Sequence, residues 1–331
     1  MSTNNLTCAS SHELARLESS NFVISQIVDL IAGIITFTFT YPAVQLTLKK
    51  SIFQWSTKIL ILQNLIYAII FQLSYGLEAC ILLYKHFFMR GEVCGILQTE
   101  EHCAPYTKLI LCTISGMIYG QTGLMMERAC ATFIRNYKAK KAIRIGSLIS
   151  FLVLFCSLIT PKLLLWDDPM DSALLGCFML PRASNARSTV YFGLCTFLTL
   201  FNLTVSLSLK RYNKKLEYST RFKVGVRFRK REAIDSTGTV CFLSLSLFIL
   251  MFIYSVGVCV LRDLRPYITI TDFYFWVVWF YTVPFFAMLL PILLIYRIRR
   301  TRSNRVHLLI GMSHEKYSQE SHIKQMQDMW S

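Results

Sequence analysis

Apolar residues fall in seven long blocks separated by polar connectors. The blocks cover roughly 22–47, 59–84, 104–134, 145–166, 188–209, 236–261 and 272–296. Crossing about 30 Å of hydrocarbon takes about 20 residues of α-helix, and each block has that length. Charges inside them are few. The first holds Asp29, the second Glu78, and the third Lys108 and the adjacent pair Glu127–Arg128; the fourth, fifth and sixth hold none before their flanks. A backbone in lipid must satisfy its own hydrogen bonds, which selects helices. The blocks are too long and too continuously apolar for barrel strands. The pattern predicts an all-α membrane protein, one seven-transmembrane helix bundle over 22–296, with tails at 1–21 and 297–331 and no internal repeat. Residues 1–21 carry Glu13, Arg16 and Glu18 and no apolar run, so the first helix is expected to act as its own insertion signal.

The charge orients the bundle. Net charge is +16 on 331 residues, and its location argues for topology rather than for nucleic acid. Segments 1–21, 85–103, 162–187 and 262–271 carry 8 Lys and Arg, whereas 48–58, 135–144, 210–235 and 297–331 carry 25. Bases resist translocation and collect on the cytoplasmic side, so the N-terminus is expected outside and the C-terminus inside. The connector 210–235 holds ten bases, among them Arg221, Lys230 and Arg231. It suits contact with anionic lipid and docking of an acidic cytosolic partner.

Of eleven cysteines, Cys8, Cys94, Cys103 and Cys177 fall on the expected outside. Four cysteines allow three pairings, and the exterior is oxidising. A Cys103–Cys177 bond would tie the connector between the fourth and fifth helices over the bundle and leave Cys8 with Cys94. Asn5-Leu6-Thr7 is a glycosylation sequon in the outer tail. Asn202-Leu203-Thr204 also matches but lies inside the fifth helix.

Cys103 and Arg128 are 25 residues apart. At 1.5 Å per residue that is roughly 37 Å, a little more than the hydrocarbon thickness. The third helix therefore carries a cysteine at its outer end and the Glu127–Arg128 pair at its inner end, where a partner and an interfacial position lower the cost of the charge.

Seven helices, an outside N-terminus, Cys103, Cys177 and an acid–Arg pair together resemble the rhodopsin-like G-protein-coupled receptors, where an acid–Arg–aromatic motif occupies that place. The resemblance implies that Arg128 holds the inactive state and contacts a heterotrimeric G protein after activation, with Glu127 as its local partner. Arg221, Lys230 and Arg231 would then belong to the docking face. Several features depart from that pattern. Ala129 and Cys130 follow the pair, the second helix has no central Asp, the sixth has no proline, and the seventh has Leu290-Pro291 and then Tyr296. Cys8-Ala9-Ser10, Glu127-Arg128 with Ala131-Thr132, Tyr218-Ser219-Thr220-Arg221-Phe222 and the Arg-rich end of the seventh helix are similar to the nematode serpentine chemoreceptors, most of all class alpha. That resemblance implies a chemosensory receptor in the ciliary membrane of sensory neurons.

The start of the seventh block reads DFYFWVVWFYTVPFF over 272–286. Phe273, Trp276 and Phe280 share one helix face, either as interfacial anchors or as the wall of an aromatic pocket for a small apolar or amphiphilic ligand. Glu78 is placed to orient a cationic or hydrogen-bonding group, with Asp29 a weaker candidate, and Tyr119 and Gln121 are expected to hydrogen-bond within the bundle. Pro284 and Pro291 are expected to bend the seventh helix. Val306, Leu308, Leu309 and Ile310 among bases suit a short helix on the inner membrane face.

Other functions fit less well. A retinal protein needs a Schiff-base lysine, and 273–296 contain none. All six histidines lie outside the helix interiors, so no intramembrane zinc site, other metal or cofactor is implied. No enzyme is expected. A ligand-gated channel or transporter remains the alternative, although neither inverted repeats nor broken midplane helices are evident.

Overall fold

The computed structural model describes residues 8–51, 53–89, 94–134, 137, 139–168, 173–177, 184–219 and 224–330. In chain order the elements are α1 (Ser11–Glu18), α2 (Ser20–Gln45), a π turn (Leu46–Lys50), α3 (Trp55–Phe88), β1 (Gln98–Thr99), α4 (Glu100–Phe133) and α5 (Ala139–Leu164). They continue with β2 (Ala173–Leu174), α6 (Asn185–Ser219), α7 (Val224–Leu264), α8 (Ile270–Phe280) and α9 (Val283–Trp330). Seven stretches are long and apolar enough to span a membrane: Ser20–Lys49, Trp55–Phe88, Glu100–Phe133, Ala139–Leu164, Ala186–Glu217, Ala233–Leu264 and Phe275–His307. The chain is a seven-helix bundle.

The helices overrun the apolar blocks. The fifth block ends near 209, but α6 continues to Ser219, and α7 begins at Val224 inside the basic connector. Lys, Arg and Glu are good helix formers, so a spanning helix continues into water once it has started. The seventh block behaves differently. It breaks into α8 and α9 at Tyr281–Thr282, just before Val283-Pro284. Pro284 falls in the first turn of α9, where its missing N–H costs little, whereas Pro291 sits inside α9 without ending it. The Thr282 hydroxyl donates to Leu250 O at 2.6 Å, and Gln72 Nε2 donates to Pro284 O at 2.8 Å, so α7 and α3 hold the joint. Beyond Tyr296 the helix runs on to Trp330 rather than restarting as a short surface helix. No proline or glycine stands between Pro291 and Gly311 to break it.

The core runs down the bundle axis through Phe71, Leu65, Met117, Leu124, Leu247, Phe286 and Leu294. Helix α4 approaches α3 closely because it presents Gly116 and Gly120. A Cβ on Gly116 would lie 2.6 Å from the Tyr67 ring, and one on Gly120 would lie 2.3 Å from Asn64 Oδ1. Small residues at helix crossings are how membrane helices gain packing without a hydrophobic drive. The periphery carries exposed Leu148, Phe151, Phe197 and Ile249, the apolar surface a lipid-facing bundle requires.

One end of the bundle is capped. Disulfides join Cys8 to Cys94 and Cys103 to Cys177. Strands β1 and β2 pair antiparallel, Gln98 with Leu174 and Thr99 with Ala173. The stretch 11–18, within the expected N-terminal tail, is helix α1. Ser10 and Glu13 form its capping box, and Leu17 packs with Phe22, Leu82, Ile96 and Leu175 in a second apolar cluster. The opposite end carries the basic segments.

Candidate functional site

The densest polar site lies at the basic end of α4. Residues i and i+1 point to different sides of a helix, yet Glu127 and Arg128 are brought together by their long side chains. Arg128 Nη2 and Nε donate to Glu127 Oε1 and Oε2 at 2.5 and 2.6 Å. Neither side chain reaches solvent appreciably, so the pair is buried and electrically neutral as a unit.

Other elements complete its hydrogen bonds. From the start of α3, the Ser56 and Thr57 hydroxyls donate to Glu127 at 2.6 and 3.1 Å. The Thr57 oxygen in turn lies 2.6 Å from Arg128 Nη2. Arg128 Nη1 donates to Ser236 Oγ of α7 at 2.9 Å. The Tyr137 hydroxyl, from the connector after α4, donates to Glu127 Oε1 at 3.0 Å. Burial, and then the Glu127 charge beside it, push the Tyr137 phenol up to about 12, so it stays a neutral donor. A charge pair in a low-dielectric site holds only when its remaining donors and acceptors are also satisfied. Here the result is a clasp joining α3, α4 and α7.

Around it, α7 and α9 are tied by Arg305 Nη2 to Asp235 Oδ2 at 3.1 Å, and α6 and α7 by Arg231 Nε to Glu217 Oε1 at 2.6 Å. A cavity of about 120 Å³ opens beside Ser51, Phe53, Asp235, Thr239, Ile298 and Arg302. Arg221 lies outside the described residues, as does the side chain of Lys230.

At the capped end Glu78 is 1 % exposed and accepts the Cys177 N–H at 2.6 Å, so it anchors the disulfide loop rather than standing in water. Lys85 Nζ donates to Leu175 O at 3.2 Å in the same loop. Of the three candidate aromatics of α8, Trp276 and Phe280 stack on each other while Phe273 meets a cation. The Arg265 guanidinium covers the Phe273 ring at 6.0 Å, Trp276 is 49 % exposed, and the Phe280 ring lies 6.1 Å from that of Trp276. Trp276 is thus placed as a surface anchor more than as a pocket wall. A different aromatic row crosses the bundle: Phe71, Tyr75, Tyr281, Tyr254, Phe192 and Tyr191, with successive centroids 5.0 to 5.7 Å apart. Asp29, the weaker candidate, is buried in α2. Asn5 lies outside the described residues, while Asn202 is buried and donates to Thr122 Oγ1 at 2.8 Å, closed to glycosylation.

The family model described as serpentine type 7TM GPCR chemoreceptor Sra matches residues 3–330. The chain belongs to the serpentine class alpha chemoreceptors. It is 60 % identical to serpentine receptor class alpha-9 of Caenorhabditis elegans over 328 residues, 98 % of this chain and 99 % of that one. Serpentine receptor class alpha-6 of the same nematode is 50 % identical over 327 residues, 99 % of each chain. Class alpha-8 is 49 % identical over 326 residues, 98 % and 99 % of the two chains. This serpentine receptor is therefore an integral, multi-pass membrane protein of a chemoreceptor family.

Glu127 and Arg128 stand out in the sequence, whereas Ser56, Thr57, Tyr137 and Ser236 do not. Their only advance signal is that each is a hydroxyl at or near the basic end of a predicted helix. Many other Ser, Thr and Tyr residues share that description.

Proposed function

We propose that this serpentine receptor binds a small external chemical at its disulfide-capped end and signals to a heterotrimeric G protein at its basic end. The excess of bases at one end puts that end in the cytoplasm and the N-terminus outside. The clasp carries the reading: Arg128 joins α4 to α7 through a single hydroxyl, Ser236. A buried ion pair is weak evidence for stability and better evidence for a switch. When α7 moves away from α4, the Arg128 guanidinium loses Ser236 and becomes a donor for an acceptor on the G protein. Arg221, Lys230 and Arg231 of the basic connector supply the positive field that draws an acidic partner to that face. The receptor is assigned to the plasma membrane of sensory cilia, with Asn5 glycosylated on the outside. No catalytic step is part of this reading.

A two-state bundle responds only to a ligand that prefers one state. Ser236→Ala removes the α4–α7 bond and leaves the Glu127–Arg128 pair intact. Basal signalling should rise by a factor of about 5 at matched surface level, the effect of about 1 kcal/mol lost from one state. Arg128→Ala should abolish coupling. Unchanged basal activity in the first variant together with unchanged coupling in the second would remove Arg128 from the mechanism.

A further inference from the structure

The route by which a ligand reaches this bundle is constrained by the cap. Over the disulfide end, Leu17 of α1 and Leu175 of the stapled loop close on Phe22, Leu82 and Ile96. His86 Nδ1 lies 2.7 Å from Leu17 O, Lys85 holds Leu175 O, and Glu78 holds the Cys177 N–H. These contacts close the chain over α2 and α3 at that end.

Room exists elsewhere. A cleft of about 480 Å³ lies between α5 and α6, inside the size range of small-molecule sites. Leu163 and Val190 form its mouth, 60 % and 64 % exposed, so it opens to the side of the bundle near the capped ends of two membrane-spanning helices. Its back wall is hydroxylic. Tyr119 OH lies 3.2 Å from Thr160 Oγ1, and Tyr191 OH lies 2.7 Å from Ser115 Oγ. Each of these oxygens can donate or accept. The rim carries one cation, Arg187, and it is already committed: Nη2 pairs with Asp168 and Nη1 donates to Trp166 O at 2.5 Å. The lining therefore offers hydroxyls and apolar walls with no uncompensated charge.

We propose that this cleft between α5 and α6 is a binding site for an uncharged amphiphile, an apolar body ending in one hydroxyl or carbonyl, that enters sideways from the bilayer. The polar head takes the place of Thr160 or Ser115 as partner of Tyr119 or Tyr191, and the body lies against Leu163, Leu164 and Val190. The site and the clasp share helix α4. Tyr119 stands eight residues before Glu127 on α4, about 12 Å along the helix, so exchanging its hydrogen bond loosens α4 from α5. Tyr191 begins the aromatic row that leads through Tyr254 to the α8–α9 joint at Tyr281.

The site deepens the receptor reading and rests on it for the meaning of occupancy, but it is tested without a G protein. The full-length receptor is reconstituted in lipid vesicles with a diazirine-bearing dodecanol, irradiated and digested. Labelling is expected on the segments holding Leu163–Leu164 and Val190–Tyr191, with competition by excess unlabelled dodecanol. Val190→Trp, which fills the mouth from the lipid side, should reduce that labelling to background, whereas Leu148→Trp, on exposed α5 surface, should leave it intact. Label spread evenly over lipid-facing residues such as Phe151 and Phe197, insensitive to competitor and to Val190→Trp, would overturn the site. So would competed label confined to Phe273 and Trp276. Failure of the Arg128 and Ser236 signalling tests would leave the labelling result standing, and the reverse also holds.

Discussion

The two ends of this bundle are held by different chemistry. The capped end uses two disulfides, a two-residue strand pair and an apolar cluster around Leu17. The basic end uses one buried ion pair and a ring of hydroxyls. Covalent bonds and packed apolar side chains have one arrangement. Hydrogen bonds to serine and threonine can be exchanged one at a time, each worth about 0.5–1.5 kcal/mol net. A receptor whose cap is stapled and whose clasp is exchangeable can transmit a change without losing its shape.

Four substitutions sharpen that contrast, and their expected effects decrease in order. Glu127→Ala leaves the Arg128 guanidinium buried without its counter-charge. Breaking one side of a buried pair costs about 3–5 kcal/mol, so thermal denaturation in detergent should show the largest drop in midpoint, and surface expression should fall. A midpoint equal to that of the parent would mean that the pair is hydrated and not a clasp. Cys103→Ser removes the staple from α4, and native disulfides contribute about 2–5 kcal/mol. The measured loss should be abolished when the parent is compared under reducing conditions, a dependence that Glu127→Ala will not share.

Gly120→Ala tests the packing between the two ends. The new methyl would meet Asn64 at 2.3 Å, and overpacking of this kind costs about 1–3 kcal/mol. A stability equal to the parent would show that the Asn64 side chain can turn aside there without cost. Asp235→Asn gives the smallest effect. It breaks the partly exposed pair with Arg305, and exposed pairs contribute about 0.2–1 kcal/mol. Its effect should vanish in high salt, while the loss in Glu127→Ala persists because a buried pair is little screened.

Much of this architecture was legible in advance. Seven spans, the four outer cysteines and the Glu127–Arg128 pair at the end of the third span can be read from apolar length and residue position, whereas the choice among the three possible cysteine pairings is made by the fold. The helix ends cannot be read this way, because a chain such as 210–235 is equally suited to a polar loop and to a helix leaving the membrane. The α8–α9 break was half legible. Pro284 signalled a disturbance, but its exact place at Tyr281–Thr282 depends on Thr282 bonding to Leu250 and Gln72 to Pro284. Glu78 illustrates the limit best. As a lone acid near the end of a span it suited ligand recognition or hydration equally well, and only the folded loop gives it the Cys177 amide.

The sequence by itself determined how many times the chain crosses the membrane and which connectors share a side, because burial of apolar length and repulsion of bases are sums over local segments. Only the tertiary structure decided which hydroxyls close around Arg128, which aromatics form the row through Tyr281 and where the cleft between α5 and α6 opens. Those depend on the rotation and depth of each helix against its neighbours, which are fixed by side-chain shape at crossings such as Gly120 against Asn64. A hydropathy pattern that reads almost the same around the whole helix carries no record of that choice.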